Sequence, residues 1–263
     1  MIIAIPSSGR ASRQTTWANL PPSIAAQTFV FVYEREIPAY KEMNPSMGLQ
    51  SVPAHIQGIG AKRQFILDKA SQSGITKVVM LDDDLTFALR RKDKPQLFTT
   101  PLDAEIELMF EDIEIQLAHL AHVGVAPREG ANRNPFGRLL MNTRPSRILG
   151  YRTDILEKEK ISFGDMNLME DFYVSLSLLT RGYDTANLNW IVQNQQGSNT
   201  SGGCSQYRTM ERQAEASLAL HKKFPAFVKV VTKQTKTAWG GQERTDVIVG
   251  WKKARASFNE IKC

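Results

Sequence analysis

A short apolar run, Val78-Val79-Met80-Leu81, ends in three consecutive carboxylates, Asp82-Asp83-Asp84. The run is brief, β-branched and bounded by Gly74 and Lys77, so it reads as a buried strand. Three carboxylates at its carboxyl end repel one another at neutral pH. A chain tolerates them when water solvates them or when a hard divalent cation neutralises them. Open α/β sheets bind ligands in the crevice outside the carboxyl ends of their strands. The position therefore suits a metal that holds a diphosphate. An acidic turn capping the next element would carry the same letters.

The surrounding pattern alternates strands with helices. Strand-like runs are Ile2–Pro6, Thr28–Tyr33, Lys77–Leu81, Val123–Ala126, Ile148–Tyr151 and Leu188–Gln193. Helical patterns cover Gly60–Ser71, Glu170–Thr180 and Thr209–Phe224, the last stopped by Pro225. Another helix is expected from Thr100-Pro101, with proline at its first position, to about His122. His119 and His122 read as surface or core residues rather than ligands. A polar Gly- and Ser-rich loop spans Asn194 to Gln206. Alternation of this kind predicts an α/β fold with a mixed, mostly parallel sheet flanked by helices.

Among 263 residues, 42% are apolar and 23% charged, an ordinary globular composition. No run approaches the roughly 18 to 20 apolar residues that span a bilayer, and no signal peptide is visible, so no membrane association is expected. The only cysteines, Cys204 and Cys263, make neither a disulfide framework nor a metal site. A reducing, cytoplasmic setting fits best.

Charge is distributed unevenly. Residues 204–263 hold 12 Lys and Arg against 5 Asp and Glu, net +7, within a total of +6. This suggests a core over residues 1–203 and a basic, helical C-terminal segment packed on it. A second bias sets Arg128, Arg133, Arg138, Arg144, Arg147 and Arg152 against a single acid, Glu129. Such surfaces suit phosphates and often mark nucleic-acid binding, although a solvated basic surface looks the same.

Another acidic motif, Glu170-Asp171, opens a helix at Met169-Glu-Asp-Phe172. Carboxylates in a first turn complement the helix dipole, and capping is the simple reading. A carboxylate facing the same crevice as the triple aspartate would also suit a general base within reach of an acceptor hydroxyl.

The ordered set resembles glycosyltransferases of the GT-A fold. The resemblance rests on Ile2-Ala-Ile-Pro-Ser-Ser-Gly-Arg10, Gly58-Ile-Gly-Ala-Lys-Arg63, Met80-Leu-Asp-Asp-Asp84 as the D-x-D motif, and Met169-Glu-Asp-Phe172 with Arg181-Gly182-Tyr183. It implies that Asp84 binds a divalent metal, Mn²⁺ or Mg²⁺, with Asp82 on metal or ribose and Asp83 of less consequence. It implies Asp171 as catalytic base, with Glu170 second. Pro6, Ser7, Ser8, Arg10, Tyr33, Arg63, Asp82 and Asp83 would line a nucleotide-sugar site, the donor being a UDP-sugar. Tyr33 would stack on the nucleotide base, or serve only as a strand-end aromatic. The late histidine that often completes the metal set has no clear counterpart, since His221 reads as helix surface.

Val32-Tyr33-Glu34-Arg35-Glu36, Ala61-Lys62-Arg63-Gln64 and Ser201-Gly202-Gly203-Cys204-Ser205-Gln206-Tyr207-Arg208 make the chain similar to the TET/JBP-associated glycosyltransferases, many of them phage enzymes. That resemblance implies a DNA acceptor bearing 5-hydroxymethylcytosine or another hydroxymethylated pyrimidine. Acceptor contacts would then include Arg138, Arg144, Arg147, Gly202, Gly203, Tyr207, Arg208 and Trp239. Trp239 would stack on or wedge beside a base, or simply pack the C-terminal segment. The implied chemistry is one inverting displacement. Competing readings are a transferase with a carbohydrate, lipid or protein acceptor, and a nucleotidyltransferase, which would release pyrophosphate.

Overall fold

The computed structural model describes residues 1–129, 137, 139–166, 168–195, 209–235 and 241–261. Chain order runs β1 (Ile2–Pro6), α1 (Thr15–Ala18), α2 (Pro22–Ala25), β2 (Thr28–Tyr33), α3 (Ile37–Met43), β3 (Gly48–Val52), α4 (Gly58–Gln72), β4 (Lys77–Leu81) and β5 (Leu85–Arg90). It continues with β6 (Phe98–Thr99), α5 (Asp103–Gln116), β7 (His122–Pro127), β8 (Leu140–Met141), β9 (Ile148–Arg152), α6 (Thr153–Lys158), α7 (Glu170–Thr180) and β10 (Thr185–Gln195). The last elements are α8 (Met210–Lys223), β11 (Val228–Gln234), β12 (Glu243–Val249) and α9 (Trp251–Ile261).

The expected mixed α/β sheet is present, in the order β3-β2-β1-β4-β9-β7-β10-β5-β6, with β8 pairing β10. Strands β3, β2, β1 and β4 run parallel, and so do β7 and β10. β9 lies antiparallel between β4 and β7, and β5 runs antiparallel to β10. Both faces of the sheet are covered. Ile3, Ile5, Val79 and Leu81 join Ile106, Met109 and Ile113 of α5 on one side. Ala4, Val78 and Met80 join Ile66 and Leu67 of α4 and Val174 and Leu178 of α7 on the other. Double coverage explains why β4 is apolar at every position from Val78 to Leu81 rather than alternating. Each such fully buried aliphatic side chain stabilises the fold by about 1.5–3 kcal/mol.

Several boundaries differ from expectation. α5 starts at Asp103, not at Pro101, because the Glu105 carboxylate accepts the Leu102 N–H at 2.7 Å and closes the first turn there. It ends at Gln116, and His122 opens β7 instead of closing the helix. The C-terminal segment is not purely helical, since the antiparallel pair β11–β12 lies between α8 and α9. Among the described residues, no helix is long and apolar enough to cross a membrane.

Candidate active site

Register places the acidic residues. β1 pairs in parallel with β4, Ile2 opposite Val78 and Ala4 opposite Met80, so both strands release their loops at one sheet edge. Ser7 and Arg10 leave β1 there, and Asp82 to Asp84 leave β4. Thr16 of α1 holds the acidic turn: its hydroxyl donates to the Asp82 carbonyl at 2.5 Å and accepts the Leu85 N–H at 2.8 Å. The Asp82 N–H donates to the Arg147 carbonyl at 2.8 Å, on the residue that enters β9.

The three aspartates have different surroundings. Asp83, expected to matter least, is the anchor. It is buried, accepts from the Ser7 hydroxyl, and receives Arg10 Nη1 at 2.5 Å. Burial pushes its carboxyl up to about 6, against the opposing pull of Arg10 and Ser7. Ser7 is fixed in turn by Gln14 at 2.8 Å and Tyr40 at 2.8 Å. Asp84 receives Arg10 at 2.9 Å and the Gln195 side-chain amide on both oxygens, at 2.8 and 2.9 Å. Gln195 arrives because β10 pairs it opposite Leu85, the neighbour of Asp84. Asp82 is the most exposed of the three, its side chain 26% accessible against 11% for Asp84.

Arg63 joins the two acidic motifs. Its guanidinium contacts Asp82 at 2.8 Å and Glu170 at 2.5 Å. α4 can deliver Arg63 because Gly60 lets its first turn approach the segment before α7; a Cβ on Gly60 would lie 2.9 Å from the Phe163 carbonyl. Glu170 is buried against Arg63, whereas Asp171 is more accessible and receives Arg144 Nη1 at 3.0 Å. Arg144 also lies 3.8 Å from the centre of the Phe172 ring. The residue introducing this helix, Met169, has φ 60°, a left-handed conformation that costs a non-glycine residue about 1–2 kcal/mol.

The other expected donor residues lie nearby. Pro6 ends β1. The Ser8 hydroxyl donates to Glu36 at 3.1 Å. Tyr33 ends β2, with Lys62 Nζ 4.0 Å from its ring centre, and Lys62 donates to the Ser7 carbonyl at 2.7 Å. Of the expected acceptor residues, Arg144 and Arg147 come to this edge. Arg147 bonds Gln193 at 3.1 Å. Arg138, Gly202, Gly203, Tyr207, Arg208 and Trp239 lie outside the described residues. Gln14, Thr16, Lys62 and Gln195 had no individual role assigned from sequence. Lys62 stood inside a quoted motif, while the other three carry no signal without the register that places them.

A divalent cation was expected on Asp84 and Asp82. Carboxylate oxygens are the right donors for Mg²⁺ or Mn²⁺. Their arrangement does not fit one, since Gln195 and Arg10 occupy Asp84 and Arg63 engages Asp82. Among the described residues, no three His, Cys, Asp or Glu side chains are grouped to hold an ion. Arg10 and Arg63 offset part of the cluster's charge instead.

The acidic turns thus gather at the carboxyl ends of the strands, where open α/β sheets bind their ligands. The chain belongs to the TET-associated glycosyltransferases, whose family profile matches residues 1–203. It is thus a glycosyltransferase by family. Similar proteins include the β-glucosyl-HMC-α-glucosyl-transferase of Enterobacteria phage T6, 24% identical over 207 residues that cover 74% of this chain and 72% of the relative. The protein of that name in phage T2 matches at the same identity and coverage. A solved structure described as a nucleotide-diphospho-sugar transferase, from Desulfovibrio desulfuricans G20, overlays with a TM-score of 0.43 at 12% identity, covering 84% of this chain and 96% of that one. At that score the likeness carries no functional argument.

Proposed function

We propose that this chain transfers a sugar from a nucleoside diphosphate sugar, of UDP-glucose type, to the hydroxyl of a 5-hydroxymethylpyrimidine in DNA, or to a sugar already on that base, in phage DNA modification. The observation that carries the reading is Arg63, one guanidinium bonded to both the aspartate turn and the Glu170-Asp171 motif. We read the aspartate turn as the leaving-group side and the Glu170-Asp171 motif as the base side. The two phage relatives, named for glucosyl transfer to hydroxymethylcytosine that already bears glucose, support the acceptor class.

In this reading Asp171 is the base. Glu170 is sealed against Arg63, while Asp171 keeps an accessible carboxylate oriented by Arg144. Asp171 takes the proton of the acceptor hydroxyl as its oxygen bonds to the anomeric carbon. The bond from that carbon to the diphosphate oxygen breaks, and the nucleoside diphosphate leaves with the electron pair. Arg10 and Arg63 offset part of the carboxylate charge at the strand ends, on the side where the diphosphate leaves.

Asp171→Asn should abolish transfer, by at least about 10²-fold, while leaving donor affinity within about twofold. Normal turnover by that variant would remove Asp171 from the role. A second reading has its own support: the relatives' names specify an α-glucosyl group. An α-linked product formed from an α-linked donor means retention, so the anomeric coupling constant of the product separates it from a single displacement, which gives β.

A further inference from the structure

A cleft of about 740 Å³ opens between the chain around β8 and the β12–α9 junction. One wall carries Leu140, Met141 and Thr143, the other Trp251, Lys252 and Lys253. Thr143 adjoins Arg144, which pairs with Asp171. Trp251 lies against Phe172, ring centres 5.6 Å apart, and Phe172 follows Asp171. Each wall of the cleft therefore adjoins a residue in contact with, or next to, Asp171. Its volume falls in the range of ligand sites, roughly 300–1,000 Å³.

Its charge is as informative as its position. Lys252 and Lys253 are exposed, and among the described residues neither pairs with a carboxylate. Both stand in the first turn of α9, where the helix dipole disfavours cations, and that turn holds no acidic residue to offset them. Met141, on the facing wall, is 39% exposed. An apolar floor with an aromatic edge and two uncompensated ammonium groups suits a base stacked beneath its own phosphates.

We propose that this cleft seats the acceptor nucleotide, the base against Trp251 and Met141 and the flanking phosphates on Lys252 and Lys253. The site rests on the DNA-acceptor reading above and extends it to residues beyond the family-matched segment. It gives the C-terminal elements a function, namely presenting the acceptor hydroxyl to Asp171.

The test uses the full chain, a hydroxymethylated duplex and a series of salt concentrations. The double variant Lys252→Glu/Lys253→Glu should raise the KM for DNA at least about tenfold and lower the slope of log affinity against log salt by about two. A control with the same charge change at exposed Lys41 and Lys69 should leave both within about twofold. Trp251→Phe should retain most of the DNA affinity that Trp251→Ala loses. If Trp251→Ala does not fold, the lysine pair carries the result alone. Equal effects of the two lysine pairs, or none, would overturn the assignment while transfer to DNA stood. A concentration-dependent dimer broken by Met141→Asp would give the cleft to a second copy of the chain and overturn it too. A wild-type chain that modifies only non-DNA acceptors would instead defeat the DNA reading itself.

Discussion

Gln195 and Arg10 hold Asp84 from two sides, so a cation would have to displace two protein donors to reach it. We expect transfer to continue within about twofold in excess EDTA. Collapse on chelation, with recovery in Mn²⁺ or Mg²⁺, would mean that these donors yield Asp84 to an ion. His122 gives a second prediction at this scale. Burial lowers its imidazole from the ordinary range to about 3, as it stacks on Tyr151 at 3.9 Å. The unfolded chain takes up that proton near pH 6.5 and the folded chain does not, so stability falls as pH drops from 6.5 toward 3. Between pH 6.5 and 5 the loss from this residue is about 2 kcal/mol. His122→Phe keeps an aromatic ring in place and should flatten that part of the denaturation profile; an unchanged slope would contradict the assignment. The acidic residues themselves were legible because three adjacent carboxylates after an apolar strand repel one another and need water or a cation to offset them. Their division of labour was not. Whether Asp83 or Asp84 turns inward depends on Ser7, Arg10 and Gln195, which meet them only after the sheet forms.

Besides the Trp251–Phe172 contact, α9 makes a close approach just past the end of α7. Gly182 has φ +88°, and a Cβ there would lie 2.4 Å from the Phe258 ring. Gly182→Ala should cost about 1–3 kcal/mol in chemical denaturation through backbone strain and displacement of α9. If the cleft beside α9 works as proposed, the variant should also weaken DNA acceptance more than donor binding. A stability unchanged to within measurement error would show that α9 does not rest there. β4 was plain from sequence, since an uninterrupted apolar run is what a doubly covered strand requires, and α7 from its acidic first turn followed by a mostly apolar helix. β5 had no assignment from sequence, because its six residues follow the aspartates without a break to mark a new strand. β11 and β12 were missed because Lys229, Lys233, Glu243 and Arg244 gave the segment the look of a charged helix rather than of strands. The start of α5 was set by a side-chain cap from Glu105, a local bond that outweighed the general preference for proline at a helix start.

At the scale of the molecule, an acidic crevice and a basic flank lie side by side. The carboxylates gather at the strand ends of residues 1–203, while the last 60 residues carry the net +7 and bring α9 against α7. The order of motifs along the chain was enough to indicate an α/β transferase, because each strand end delivers its loop to the same edge. The join through Arg63 and the cleft at Trp251 needed coordinates. Both depend on contacts between segments far apart in sequence. The activity proposed for the molecule as a whole is transfer to modified DNA. It is tested most directly by incubating the chain with a panel of nucleoside diphosphate sugars and duplexes bearing cytosine, 5-hydroxymethylcytosine, 5-hydroxymethyluracil or glucosylated hydroxymethylcytosine, then weighing the digested nucleosides. A mass gain of one sugar, confined to a modified base and absent with Asp171→Asn, is the predicted result. Donor turnover with no labelled nucleoside on any duplex would contradict it.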